Sequence, residues 1–135
     1  MNRLRLCLGT MITAAVLLLC AGAMAEIRIN EVMASNGVYQ DGHAYDWAEL
    51  YNDGAEVSLA GWYLSNDPYQ PYKWAFPSGA KIAENGYLIV YCAGEGKKPM
   101  TDALCTNFKL SADGDTLYLT SPDGESTVLS FGAQF

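Results

Sequence analysis

From residue 27 onward, apolar and polar positions alternate in short stretches rich in Val, Ile, Tyr and Trp, separated by turn-forming clusters. A period of two places successive side chains on opposite faces of a strand. Residues 27–34 read as a first strand, broken by Ser35-Asn36-Gly37. Residues 40–45 read as a polar loop. Residues 46–51 alternate again, but Trp47 and Leu50 fall on opposite faces, so the pattern leaves the inward face open. Asn52-Asp53-Gly54 is a turn signal. Residues 57–64 read as one strand interrupted by Gly61, with Asn66-Asp67-Pro68 ending it. Residues 72–76 read as a strand that Pro77 terminates.

The second half continues in the same way. Ser78-Gly79 turns the chain, and Glu84-Asn85-Gly86 precedes Tyr-Leu-Ile-Val-Tyr-Cys at 87–92, a nearly unbroken apolar run suited to a central buried strand. Residues 93–104 read as a loop and 106–110 as a short strand. The strands 116–120 and 125–131 flank a hairpin turn at Pro122-Asp123-Gly124. No amphipathic stretch of helical period is long enough to matter. Roughly seven to nine short strands with regular turns predict an all-β, immunoglobulin-like β-sandwich. Alternation puts Leu117 and Leu119 on one face with Tyr118 opposite, and makes Leu88 and Val90 a second inward pair. Trp62, Leu64 and Phe108 join them, each worth about 1.5–3 kcal/mol if fully buried.

The first 25 residues read differently. Arg3 and Arg5 precede the uncharged apolar stretch 6–20, and Ala23-Met24-Ala25 is a small-x-small cleavage site. This predicts a secretory signal peptide over 1–25, a domain over 26–135, and a secreted or cell-surface location. The apolar stretch is shorter than the ~20 residues that span a bilayer comfortably, so no stable membrane span is expected after cleavage; a retained anchor is the alternative. Leu19 before Cys20 argues against lipid attachment. The chain of 135 residues has a formal charge of −7, and losing Arg3 and Arg5 makes it two units more negative. Such a field repels phosphate backbones, and Lys97-Lys98 is the only basic pair, so nucleic acid is excluded as a general partner.

Several motifs, in order, carry a resemblance to a known family. Ile29-Asn30-Glu31-Val32 and Asp46-Trp47-Ala48-Glu49-Leu50-Tyr51-Asn52 look like the opening signature of lamin-tail domains. Leu59-Ala60-Gly61-Trp62-Tyr63-Leu64-Ser65, Trp74-Ala75-Phe76-Pro77 and Gly86-Tyr87-Leu88-Ile89-Val90 follow. Thr106-Asn107-Phe108-Lys109-Leu110-Ser111 and Gly114-Asp115-Thr116-Leu117-Tyr118-Leu119 complete it. The resemblance implies an immunoglobulin-like sandwich and, for bacterial members, an exported module often found beside spore-coat-protein-H-type (CotH) kinase domains, nucleases or other hydrolases. The roles it implies are attachment and protein or surface interaction, with no cofactor and no set of catalytic residues. In multidomain relatives the segment resembling residues 131–135 runs on toward a following domain. The chain is therefore either a stand-alone module or part of a longer secreted protein in which it targets a downstream kinase or hydrolase.

Candidate chemistry is sparse. Glu31, Asp46 and Glu49 could form a carboxylate cluster for a small secreted hydrolase if their environments separated their pKa values; backbone-bonded structural carboxylates are the stronger reading. Asp41, Asp46, Asp113 and Asp115 could supply oxygens to Ca²⁺, but no loop has EF-hand spacing. A single histidine, His43, and no CxxC leave a transition-metal site without ligands. Ser35, Ser65 and Ser78 lack a nucleophile-elbow context, and Gly94-Glu95-Gly96-Lys97-Lys98 lacks the helix that a phosphate loop requires. Cys92 and Cys105 form an even pair in an exported protein, which permits a disulfide; two free thiols packed as small hydrophobes are the other reading. The segment Pro68-Tyr69-Gln70-Pro71-Tyr72-Lys73-Trp74 is rich in amphipathic aromatics and stiffened by proline. Tyr69, Tyr72 and Trp74 are the candidate binding face for a protein or a cell-surface polysaccharide, unless Tyr72 and Trp74 cover the core.

Overall fold

In the first strand, apolar residues fall at 27, 29 and 32, a spacing that a regular strand cannot place on one face. A β-bulge resolves it. In the computed structural model, which describes residues 26–35, 39–40 and 43–134, β1 (Ile27–Met33) pairs antiparallel with β4 (Asp46–Asn52), and the register shifts between Ile29 and Glu31. The extra residue, Asn30, lets Ile29 and Val32 both face inward while Glu31 turns out opposite Glu49. The signal segment expected over 1–25 lies outside the described residues.

Between β1 and β4 lie two short strands, β2 (Tyr39–Gln40) and β3 (His43–Ala44), which pair with each other where the sequence suggested only a polar loop. After β4 come β5 (Val57–Ser58), β6 (Tyr63–Ser65), β7 (Trp74–Ala75), β8 (Lys81–Ile82), β9 (Tyr87–Cys92), β10 (Gly114–Thr120) and β11 (Ser126–Gly132). No helix occurs among the described residues. One sheet has the order β1-β4-β9 and the other β11-β10-β6-β7, all antiparallel; β5 and β8 form a separate two-stranded ribbon.

The inner faces of the two sheets meet in one core. Ala48, Leu50, Val90 and Cys92 come from the first sheet; Leu64, Leu117 and Leu119 come from the second; all are fully buried. The ambiguity at 46–51 is resolved by this packing. Ala48 and Leu50 face in, and Trp47, Glu49 and Tyr51 face out. Asn52 continues the inward face and is also fully buried. Its amide donates to the carbonyls of Ala55 at 2.7 Å and Ala83 at 3.1 Å, and its oxygen accepts the Gly54 N–H at 3.1 Å, so one side chain ties two turns together.

Two further segments also differ from the sequence reading. The single strand read over 57–64 is two strands in different sheets. Gly61, at φ +81°, turns the chain between them, closed by Trp62 N–H to Leu59 C=O at 3.0 Å. Leu59 and Leu64 are both buried, so the apolar pattern runs straight through the turn. Residues 106–110 are not a strand. Thr106, Phe108 and Leu110 are buried at alternate positions, but the segment meets β9 and its continuation only through isolated bridges, Tyr91↔Cys105 and Ala93↔Lys109, and the Thr106 hydroxyl donates to Phe108 C=O at 2.8 Å. There the alternation reports burial without a ladder.

Candidate functional site

The three carboxylates do not converge. Glu31 and Glu49 lie opposite each other on the outer face of the β1-β4-β9 sheet, where Asn30 donates to Glu49 at 2.9 Å. Asp46, an even-numbered residue of β4, lies on the other side of the strand. It borders a cavity of about 320 Å³ with His43, Tyr45, Cys92, Lys97 and Lys109. Its carboxylate accepts the Leu110 N–H at 3.2 Å. Burial raises its pKa, and the Leu110 amide and the Lys109 ammonium oppose the rise. Asp46 thus serves to anchor the 106–110 segment to β4.

The candidate calcium ligands are similarly dispersed. Asp41 lies outside the described residues. Asp115 is engaged by Asn66 at 3.1 Å, by Ser111 N–H at 3.2 Å and by Thr116 N–H at 2.8 Å. Among the described residues no three His, Cys, Asp or Glu side chains form a metal-holding group. His43 is exposed, its ring 5.7 Å from that of Tyr45. Ser65 is buried and bonded to the backbone of Asp67. Gly94 and Gly96 adopt φ +87° and +72° in a turn closed by Lys97 N–H to Gly94 C=O at 3.3 Å. Every buried side-chain polar atom among the described residues has a hydrogen-bond partner.

The two cysteines are free thiols in the structure. Tyr91 forms a parallel bridge with Cys105, bonding Leu104 C=O and Thr106 N–H at 2.8 Å each. Alternation then puts Cys105 on the face of Tyr91 and Cys92 on the opposite face, beside Thr106. Burial pushes the Cys92 thiol up to about 12, its side-chain hydrogen bond with Thr106 notwithstanding.

The aromatic loop divides into two parts. Trp74 is half-buried, its ring 4.8 Å from Phe76 in an edge arrangement, and it packs on the core. Tyr69 and Tyr72 are 92% and 58% exposed. The loop carrying them is fixed from below. Asp67 accepts the Tyr69 N–H at 2.9 Å and the Gln70 side-chain amide at 3.0 Å, and Gln70 C=O accepts the Lys73 N–H at 3.2 Å. Tyr72 leans edge-on against Tyr63 at 5.0 Å. Sequence reasoning missed a second aromatic surface on the outer face of the first sheet. Arg28 stacks 4.6 Å from the Tyr51 ring, and Tyr51 lies 4.7 Å from Tyr87, which is 61% exposed. The odd-numbered aromatics of 47–51 and 87–91 carried that signal once β4 and β9 were paired.

Two antiparallel sheets stacked on one core, with polar side chains committed to turns and crossovers, define an immunoglobulin-like β-sandwich. The lamin tail domain model matches residues 21–134, and the chain belongs to that family. Its members are immunoglobulin-like domains that are generally non-catalytic. A comparison with curated proteins finds no match.

Proposed function

We propose that the chain is a non-catalytic attachment module of an exported bacterial protein, binding a protein or cell-surface polysaccharide through Tyr69 and Tyr72. The observation that carries this reading is the exposure of Tyr69, 92%, on a loop whose backbone is already held by Asp67 and Gln70. An aromatic ring kept in water without core contacts is an apolar surface awaiting a partner, and a pre-fixed loop lowers the ordering entropy of binding. The leader-like pattern of residues 1–25 supports export. The acidic charge of the chain favours neutral or basic partners over phosphate polymers.

The test is retention of the protein on isolated cell-wall polysaccharide and on immobilised envelope proteins, with wild type and the double variant Tyr69→Ala/Tyr72→Ala. Hot-spot aromatics removed together should weaken binding at least tenfold. Equal retention of a folded double variant would remove this loop from the binding face.

A further inference from the structure

A sheet edge presents unpaired N–H and C=O groups, and most proteins blunt it with charge, bulges, shortness or a covering segment. Three of the four edges of the two larger sheets are blunted. β1 carries the bulge at Asn30 and the charges of Arg28 and Glu31, and Gln134 caps its end by accepting the Ala34 N–H at 2.6 Å and donating to Val32 C=O at 3.4 Å. β9 is covered by Leu104 and Thr106. β7 is two residues long.

β11 has no charge, bulge or shortness of this kind; β1, tied to Gln134 just beyond Gly132, approaches it without bonding to its edge. The seven residues of β11, Ser-Thr-Val-Leu-Ser-Phe-Gly, contain no charge and no proline, and they pair with β10 in unbroken register. Among the described residues their backbone groups bond to no segment other than β10. Thr127, Val128 and Ser130 are exposed, Val128 by 51%, while Leu129 and Phe131 are half-buried at the margin of the core. The chain as a whole has a formal charge of −7, so most contacts between two copies would oppose like charges. This strip would not.

We propose that β11 is a self-association edge. It pairs antiparallel with β11 of a second copy about a two-fold axis at Leu129, joining two four-stranded sheets into one of eight strands. An isologous contact of this kind closes on itself and makes a dimer rather than a fibre. Centring on Leu129 brings all seven residues into register, with Val128 opposite Ser130 of the other copy and Thr127 opposite Phe131. Leu129 and Phe131 then continue the inner apolar face across the junction. The nearest flanking acid on the strand, Glu125, ends about 27 Å from its twin at ~3.4 Å per residue, well beyond a Debye length of ~8 Å.

The arrangement also sets the two Val128 side chains diagonally, about 7–8 Å apart on the outer face, which supplies the test. The oligomeric state of the full chain is measured by sedimentation at increasing concentration for wild type, Val128→Glu and Val128→Lys, with circular dichroism as the check on folding. Wild type should dimerise. Val128→Glu should weaken the dimer at least tenfold, and an equimolar mixture of the Glu and Lys variants should recover it. Three outcomes overturn the proposal: a monomeric wild type at the highest concentration, a dimer indifferent to Val128→Glu (as association through residues 1–25 would be), or no recovery in the mixture.

Discussion

At the scale of single residues, the buried polar groups do more to specify this fold than the charged ones. Among the described residues one ion pair forms, Lys81 with Glu56 at 3.1 Å, and it is exposed, so its expected contribution is below about 1 kcal/mol. Asn52 is different. Replacing it by Ala orphans the Gly54 N–H and two carbonyls, which should cost about 2–4 kcal/mol by chemical denaturation. Asn52→Asp sets a carboxylate against the Ala55 and Ala83 carbonyls, so it should be worse than Ala at pH 7 and recover toward acid, where a protonated carboxyl can donate. Asp46 titrates in the same direction. Its folded pKa is raised by burial, so its stabilising contribution is complete below the unfolded value of about 3.9 and is lost as pH rises through the folded value. Asn at this position still accepts the Leu110 N–H and never ionises. Asp46→Asn should therefore be slightly more stable than wild type at pH 7, by less than about 1 kcal/mol for a half-exposed group. The two melting temperatures should converge in acid, and a gap that widened there would refute this assignment of the shift. The thiols give a third expectation. With the Cys92 thiol held near 12 and buried, native-state alkylation at pH 8 should mark Cys105 first, and Cys92 only on unfolding. Peptide mass spectrometry separates the two.

At the scale of elements, the sequence made legible whatever depended on local period and turn chemistry. Strands β1, β4, β9, β10 and β11 fall within a residue or two of their expected bounds, and Leu117 and Leu119 face inward as alternation requires. Partnership was not legible, because it is a property of two segments. Residues 57–64 carry an apolar pattern continuous through Gly61, and only the pairing of β5 with β8 and of β6 with β10 shows that the run serves two sheets. Residues 106–110 alternate because the core lies on one side of them, with no ladder alongside. The candidate binding residues divide for the same reason. Trp74 has a core neighbour in Phe76, distant in no sequence sense but decided by packing, while Tyr69 has none. Glycine placement yields a testable consequence at this scale. Gly114 begins β10 at φ +117°, and a Cβ there would sit 2.9 Å from the Phe131 carbonyl oxygen, on the backbone of the neighbouring strand. Gly114→Ala should cost at least ~1 kcal/mol and loosen the β10–β11 ladder at its open end. Faster amide exchange at Phe131 and Gly132, with the Thr120–Ser126 end unchanged, is the expected pattern.

At the scale of the molecule, the two sheets cannot be separate folding units, because neither buries its apolar face alone. Leu50 and Val90 of one sheet and Leu64, Leu117 and Leu119 of the other belong to a single buried cluster, and Leu59, Ile82, Phe108 and Leu110 close its margins from the connecting segments. A defect placed in either sheet should therefore weaken both. Leu119 is fully buried and lies on β10, between β6 and β11. Leu119→Ala removes its packing and leaves a cavity, at a cost of about 2–5 kcal/mol, a large part of the roughly 5–15 kcal/mol by which a domain of this size is stable. If the sandwich is one cooperative unit, denaturant unfolding stays a single transition with an unchanged slope, and the slowest amides of β4 and β9 lose protection by the same free energy as those of β10. Should β4 and β9 keep their protection while β10 loses it, the sheets would be energetically independent. The shared core would then be a contact between two units, and the attachment surface proposed for the Tyr69 loop, which joins β6 to β7, would sit on the weaker one.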